Sequence, residues 1–201
     1  MNELNEQQKK NNRTIIIIFA MSIIPFCIAW YLSANATWMG GGTNYGKLIS
    51  PPVTTKFSEF VGFDGFSKEN LDEIKGHWVL VNIIPNSDCN ELCLQAIHKT
   101  KQLRLMMNKD LTRVRRLVLV NSEVEQRIAQ TWWNEDLRLL RAKPAKQLLD
   151  TLNKIVASNI PEGMLLLMDP LGNLMMQYEP GFDPYKVKSD LKKLLKISQI
   201  G

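Results

Sequence analysis

The sequence predicts an α/β domain with a mixed sheet, preceded by one apolar N-terminal helix. Two short apolar, β-branched runs at 78–85 and 113–120 enclose a helical stretch, which is typical of a strand–helix–strand unit with parallel strands. A long apolar segment without charge lies near the N-terminus. The 201 residues are therefore expected to form an anchor and one globular domain.

The composition excludes several classes of protein. Hydrophobic residues make up 45% and charged residues 22% of the chain, as in globular proteins, which excludes disordered and low-complexity classes. The net charge of +5 comes from scattered residues and not from one dense basic tract, so nucleic acid is not predicted as a partner. Three cysteines are too few for a disulfide scaffold.

The apolar segment predicts a membrane anchor over residues 14–34. No residue from Thr14 to Gly46 is charged, and the first 19 of them are long enough to cross a hydrocarbon core of about 30 Å. Basic residues occur just before this segment, whereas none of the 14 residues after Leu32 is charged, so residues 1–13 are expected in the cytoplasm. The rest of the chain would then lie across the membrane.

A cleaved signal peptide is the alternative, because Ala34-Asn35-Ala36 resembles a cleavage site. Either interpretation exports the domain, and the length of the apolar run favours the uncleaved anchor. Cys27 has no lipidation context and is interpreted as a residue buried in lipid. Residues 35–52 are rich in Gly, Asn, Ser and Pro and are expected to be a linker, which leaves 53–201 for the exported domain.

The elements of the domain follow from periodicity. The first strand, at 78–85, is followed by a helix from Cys89 to about Asn108 and by the strand at 113–120. Further segments, in order, are helices at 122–141 and 144–157 and strands at 164–168 and 173–178. The last two strands are joined by Asp169-Pro170-Leu171-Gly172, which is type I turn chemistry and predicts an antiparallel hairpin.

A C-terminal amphipathic helix completes the domain. Asp183 is its expected N-cap, Pro184 occupies the first helical position, and an apolar stripe follows. Its lysines are interpreted as a solvated face. This order of elements in a mixed sheet is the arrangement of a thioredoxin-like domain flanked by helices.

The candidate chemistry lies at Cys89 and Cys93, where the first strand gives way to a helix. Asp88 and Glu91 are expected to cap that helix, which would place Cys89 in its first turn. Four residues apart on a helix, the two sulfurs lie on one face. They could form a redox-active disulfide, a structural disulfide, or a two-thiolate site for a soft ion such as Cu(I).

Pro161 is the third candidate site residue. Ile160-Pro161 precedes a strand at the position where thioredoxin-like folds carry a cis proline that faces the cysteine turn. A proline that simply starts a strand is the alternative.

The stretch from Gly76 to Asn82, followed by Cys-x-x-x-Cys at 89 and 93, resembles the Sco family of membrane-anchored, thioredoxin-like proteins. Members of this family help to assemble cytochrome c oxidase. Residues 44–52 and 168–176 resemble a bacterial branch of Sco-like proteins. The resemblance implies a location in the bacterial inner membrane, a periplasmic domain, and the copper-bearing oxidase subunit as the partner.

The chain departs from this family in its metal ligands. Sco proteins complete their copper site with a downstream histidine, where this chain has Ser158-Asn159-Ile160-Pro161-Glu162. Neither His77 nor His98 matches that position, and both are interpreted as exposed or locally satisfied. Four methionines are expected to fill the core and not to bind metal: Met164, Met168, Met175 and Met176. Any copper site would therefore depend on Cys89 and Cys93.

Two classes of function follow. The first is an oxidase assembly factor. It would act as a thiol-disulfide oxidoreductase that keeps the cysteines of the oxidase copper site reduced, or it would deliver Cu(I) through the cysteine pair. The second is a non-catalytic docking module of the oxidase, with a thioredoxin scaffold and a structural disulfide.

Overall fold

The computed structural model describes residues 2–34, 44–133, 136–156, 160–198 and 200. The chain divides into two compact units, Met1–Thr43 and Asn44–Gly201. Part of the segment expected as a linker, and with it the cleavage site after Ala36, lies outside the described residues.

The first unit contains one long helix, α1 (Asn2–Ala34), with Pro25 inside it. From Gln7 to Ala34 this helix is long and apolar enough to cross a membrane. A proline is tolerated in a membrane-spanning helix because neighbouring groups can satisfy the backbone that it frees. The expectation of an apolar N-terminal helix is confirmed.

The described part of the second unit has seven strands in one mixed sheet, with five α-helices. The strands are β1 (Lys47–Thr54), β2 (Phe60–Gly62), β3 (Trp78–Ile84), β4 (Val114–Val120), β5 (Leu140–Pro144), β6 (Leu165–Met168) and β7 (Asn173–Tyr178). The helices are α2 (Gly65–Asn70), α3 (Glu91–Leu105), α4 (Gln126–Trp132), α5 (Lys146–Val156) and α6 (Pro184–Ile197). The strand order is β1-β7-β6-β3-β4-β5-β2.

The strand β3 is the centre of the sheet, and every one of its residues is buried. It runs parallel to β4 and antiparallel to β6. On one face Val79, Val81 and Ile83 pack with α5, and on the other Leu80 packs with α3 and α6. A strand covered on both faces is mostly apolar, and the sequence predicted β3 and β4 within one residue although Asn82 interrupts the first and Arg115 and Arg116 the second.

The fold class predicted from the sequence is confirmed. The strands β6 and β7 form the expected antiparallel hairpin. Helix α6 begins at Pro184 with Asp183 as its N-cap, where the Asp183 carboxylate accepts a 2.8 Å hydrogen bond from the Tyr185 N–H.

The helix predicted at 122–141 is wrong over most of its length. Among its described residues, 122–133 and 136–141, only α4 is helical, and the end of the segment enters β5, which pairs in parallel with β4. Strand β5 was not predicted because Arg141 interrupts its apolar run. In the structure Arg141 is buried and its Nε lies 3.1 Å from the Asp64 carboxylate.

The folded unit begins earlier in the chain than expected, because β1 lies partly inside the segment 35–52. Its sequence, KLISPPVT, contains two prolines and alternates poorly. Such a strand is tolerated because β1 is at the edge of the sheet, where it pairs only with β7. The edge strand β2 and the short helix α2 were also missed.

The chain that enters this unit is fixed to α6 by Asp190, which is 2% exposed. One carboxylate oxygen of Asp190 accepts hydrogen bonds from the N–H groups of Tyr45 and Gly46, each at 2.9 Å. The Tyr45 hydroxyl accepts a 3.1 Å bond from the Asp183 N–H. Burial, together with the Asp190 carboxylate, raises the pKa of Tyr178, so this phenol stays neutral.

Replacing Asp190 by alanine is expected to destabilise the folded unit by about 3 kcal/mol, because two N–H groups lose a charged, buried acceptor. Urea unfolding of the full chain in detergent, followed by tryptophan fluorescence, measures the effect. The Ser189→Ala variant, changed at an exposed residue of the same helix, is the control and should unfold at the wild-type midpoint. Equal midpoints for Asp190→Ala and wild type would contradict this role of Asp190.

Candidate functional site

Cys89 and Cys93 lie where the central strand β3 passes into α3, and they form a disulfide with the two Cα atoms 5.3 Å apart. This separation is within the usual range for disulfides. The expectation that the two sulfurs meet is confirmed. The structure shows the pair oxidised, which agrees with either a redox-active or a structural disulfide.

The N-terminus of α3 differs from the expected one. Asn90 is the N-cap, and its side-chain oxygen accepts a 3.1 Å bond from the Cys93 N–H. Asp88 instead accepts a 2.8 Å bond from the Cys89 N–H. Cys89 therefore precedes the helix, and Cys93 is in its first turn. Asparagine caps a helix as well as aspartate does, so residue type alone does not distinguish Asn90 from Asp88 as the N-cap.

The disulfide is enclosed by apolar side chains. Cys89 is 4% exposed and Cys93 2%. Both belong to a cluster that also contains these residues: Ile84, Ile97, Val118, Val120, Ala129, Trp132, Trp133 and Leu139. The loop 86–88 before Cys89 is exposed.

The loop that contains Pro161 packs against the cysteine turn. The Glu162 carboxylate accepts a 2.8 Å bond from the Asn86 side-chain amide and a 3.3 Å bond from the Asn90 N–H. Gly163, with a φ of +81°, lies so near that a Cβ there would come within 2.9 Å of the Leu92 carbonyl oxygen. Among the described residues the cis peptide bond is Ser50–Pro51, so the Ile160–Pro161 bond is trans. The role of Pro161 stays a prediction.

Sequence reasoning missed Glu162 and Asn90 as parts of this site. Their contact exists because β6, which follows Glu162, pairs with β3, which precedes Asn90. No local pattern records that pairing. Two resemblances pointed to this loop: Pro161 matches a loop that faces the cysteine turn, and residues 158–162 stand where the Sco family has its copper-ligand histidine.

Replacing Glu162 by glutamine is expected to raise the reduction potential of the pair by about 15 to 30 mV, where 30 mV is a tenfold change in the equilibrium. The carboxylate lies at the N-terminus of α3 and opposes the thiolate that the helix dipole favours in the reduced state. Equilibration with glutathione measures the potential. Glu123→Gln, which changes an exposed carboxylate paired with Lys143, is the control. An unchanged or lower potential in Glu162→Gln would contradict the prediction.

The histidines and methionines have other roles. His77 Nδ1 lies 2.9 Å from the Lys75 carbonyl oxygen, and His98 Nε2 lies 3.0 Å from the Gln102 amide. Three of the four methionines are buried in the core: Met164, Met168 and Met176. Within the described ranges no three His, Cys, Asp or Glu side chains are grouped to hold a metal ion. Ser158 and Asn159, at the position of the family histidine, lie outside those ranges.

An open cleft of about 580 Å³ is lined by Trp133, a member of the disulfide cluster, and by Phe66 and the Asp64–Arg141 pair. Burial lowers the pKa of Arg141, and Asp64 opposes that effect. The Arg141 guanidinium carbon lies 5.7 Å from the Trp133 ring centroid. Trp133 is buried in the same cluster as the two cysteines and contacts Arg141, so it acts as a packing residue.

Comparison with known proteins bears on this site. A family model described as the transmembrane-like, thioredoxin-like C-terminal domain matches residues 78–198, which include β3, the cysteine pair and α6. No curated protein sequence matches the chain.

Solved structures are similar at low sequence identity. Apo Sco1 from Thermus thermophilus has 14% identity and a TM-score of 0.54 over 77% of this chain and 99% of its own. The thioredoxin domain of a thiol-disulfide oxidoreductase from Bacteroides vulgatus has 15% identity and a TM-score of 0.46, with 76% and 99% covered. Copper-bound ScoI from Bradyrhizobium japonicum has 16% and 0.44, with 61% and 87% covered. The first of these shows that the fold is thioredoxin-like.

Proposed function

Since the chain belongs to the family of transmembrane-like, thioredoxin-like C-terminal domains, we propose that it is a membrane-anchored thiol–disulfide exchange protein that works through Cys89 and Cys93. The observation that carries the proposal is the disulfide between these residues, at the junction of the central strand and α3. Helix α1 would hold the domain at the membrane.

In the proposed reaction the reduced pair gives two electrons to a disulfide of the partner. The Cys89 thiolate attacks one partner sulfur, a mixed disulfide forms, and the other partner sulfur leaves as a thiolate. The Cys93 thiolate then attacks the Cys89 sulfur and releases the second partner thiol. The product is the Cys89–Cys93 disulfide seen in the structure, and a dithiol donor must reduce it before the next cycle.

The local geometry supports this assignment of roles. Cys89 follows an exposed loop and is the cysteine that a partner would meet first, whereas Cys93 is held in the first turn of α3 by the Asn90 cap. The side chain of Leu92, 45% exposed, offers an apolar contact beside the pair. The N-terminus of α3 favours a thiolate, and the Glu162 carboxylate limits that effect.

The proposed target is the copper-bearing subunit of cytochrome c oxidase, whose cysteines must be reduced before they bind metal. The resemblance to the Sco family supports this target, and the basic residues before α1 support a periplasmic domain in a bacterial inner membrane. Delivery of Cu(I) as cargo through the same two thiols is a second form of the proposal. Cys89 and Cys93 supply two sulfurs, which would hold Cu(I) alone or with a ligand borrowed from the partner.

One observation favours a second candidate function. Both cysteines are almost completely buried, as expected for a structural disulfide in a docking module of the oxidase. In that case the disulfide would only fix the loop 86–90 to α3, and the surface of the domain would bind the partner.

A complementation experiment separates these functions. In cells that lack the chain, thiol trapping of the oxidase subunit should show its cysteines oxidised, and the wild-type chain should restore their reduction. We expect the Cys89→Ser/Cys93→Ser variant to fail. Restored oxidase assembly with that variant would support the docking module instead. Tight Cu(I) binding by the reduced chain, measured by chelator competition and lost in Cys89→Ser, would favour the copper form.

A further inference from the structure

Helix α6 presents a basic face to solvent. Its exposed lysines are Lys186, Lys192, Lys193 and Lys196. At 100° per residue these positions fall in one arc, which also contains Tyr185 and Ile197, 69% and 82% exposed. Asp190 points into the fold, where it binds the backbone of residues 45–46 and lies 3.7 Å from the Lys193 ammonium. The outward face therefore combines positive charge with two large apolar side chains.

The chain from α1 enters the folded unit on this same helix. Asp190 fixes Tyr45 and Gly46 to α6, and the Lys186 ammonium lies 5.2 Å from the Tyr45 ring centroid. Fully extended, the backbone from Ala34 to Tyr45 reaches at most about 40 Å. If α1 spans a membrane, covalent length keeps Tyr45, which contacts α6, within about 40 Å of the end of α1.

From these observations we infer that the basic face of α6 docks on anionic phospholipid of the membrane that holds α1. The inference rests on the proposed function only for the membrane anchor, and not for the chemistry of the cysteines. Lysines flanked by exposed aromatic and aliphatic side chains are typical of surfaces that bind the headgroup region. Because the tether keeps the local lipid concentration high, a weak attraction is enough for binding.

Docking through α6 would orient the cysteine turn. The apolar side of α6 packs on α3, where Val187 and Leu191 meet Ala96 and Leu103. Lys99 of α3 also donates to the Phe182 carbonyl oxygen at 3.0 Å, just before α6. A bilayer that binds α6 would therefore set the direction of α3 and of the disulfide at its N-terminus. A partner in the same membrane would meet the pair in a restricted orientation.

The test uses the full chain in nanodiscs of phosphatidylcholine alone or with phosphatidylglycerol. A neutral acetylating reagent and mass spectrometry give the modification rate of each lysine. We expect the rates at Lys186, Lys192 and Lys196 to fall at least about threefold with phosphatidylglycerol and to recover at high salt. Exposed Lys68 and Lys154, on other elements, are internal controls whose rates should not change.

A variant makes the test specific. Lys192→Gln/Lys196→Gln should remove the lipid-dependent protection of Lys186, whereas Lys68→Gln/Lys154→Gln should retain it. Equal rates at Lys186 in the two lipids would overturn the inference, as would protection that appears only when an acidic protein is added. Two separate measurements test the proposed function. Retention of the chain on the nanodisc shows whether α1 anchors it, and the rate of disulfide exchange shows whether the cysteine pair is active. A failure of the anchor or of the cysteine chemistry is therefore distinguishable from a failure of lipid docking.

Discussion

Replacing Cys93 by serine is expected to stop disulfide exchange after its first step. The remaining Cys89 can still attack a disulfide, but no second thiol is present to release the product, so a mixed disulfide accumulates. Replacing both cysteines should reduce the rate to that of buffer. The reduced full chain, mixed with a peptide that carries one disulfide, is followed by mass spectrometry after acid quenching.

The third cysteine provides the matched control. Cys27 lies in α1 and is not disulfide-bonded. Cys27→Ser should therefore exchange at the wild-type rate and form no stable adduct. If Cys93→Ser gave no adduct while the wild type turned over, Cys89 could not be the attacking residue. If the reduced wild type failed to exchange, the docking module would be favoured.

Replacing Arg116 by methionine is expected to have the largest effect on stability, a loss of about 3 to 5 kcal/mol. The Arg116 side chain is 4% exposed, forms an ion pair with Asp136, and donates a 2.8 Å bond to the Ile97 carbonyl oxygen and a 3.3 Å bond to Thr100. Burial lowers the pKa of Arg116, and Asp136 opposes that effect. The substitution leaves Asp136 unpaired and removes a link between β4 and α3.

Guanidinium unfolding of the full chain in detergent measures this loss. The double variant Arg116→Met/Asp136→Leu is the control, because replacing both members of a buried pair by apolar residues is often close to neutral. We expect it to recover most of the stability that the single variant loses. A single variant within about 1 kcal/mol of wild type would show that the pair contributes little.

The elements predicted best from the sequence are those whose residues are all buried or all suit one turn geometry. Every residue of β3 is buried, and its apolar run is interrupted only by Asn82, whose side-chain oxygen accepts a 2.8 Å bond from the Thr100 hydroxyl. The turn at 169–172 carries residues suited to its geometry. Strand β5 was missed because Arg141 is buried through an ion pair with Asp64, a contact distant in sequence. Strand β1 was missed because its prolines resemble a linker and are acceptable only at a sheet edge.

The candidate site was predictable to a similar degree. The four-residue separation across the last loop residues and the first turn of α3 brings Cys89 and Cys93 together, which needs only local geometry. The contact of Glu162 with Asn90 depends on the antiparallel pairing of β6 with β3, and the choice of Asn90 over Asp88 as cap depends on backbone geometry. Neither could be derived from residue type and spacing alone.

The reduction potential of the Cys89–Cys93 pair tests the central proposal most directly. The full chain is equilibrated with glutathione or dithiothreitol buffers, and the reduced fraction is counted by thiol alkylation and mass spectrometry. A pair that exchanges with partners should have a potential between about −270 and −120 mV, the range that thiol exchange proteins span. A potential below about −300 mV is that of a structural disulfide and would contradict the proposal.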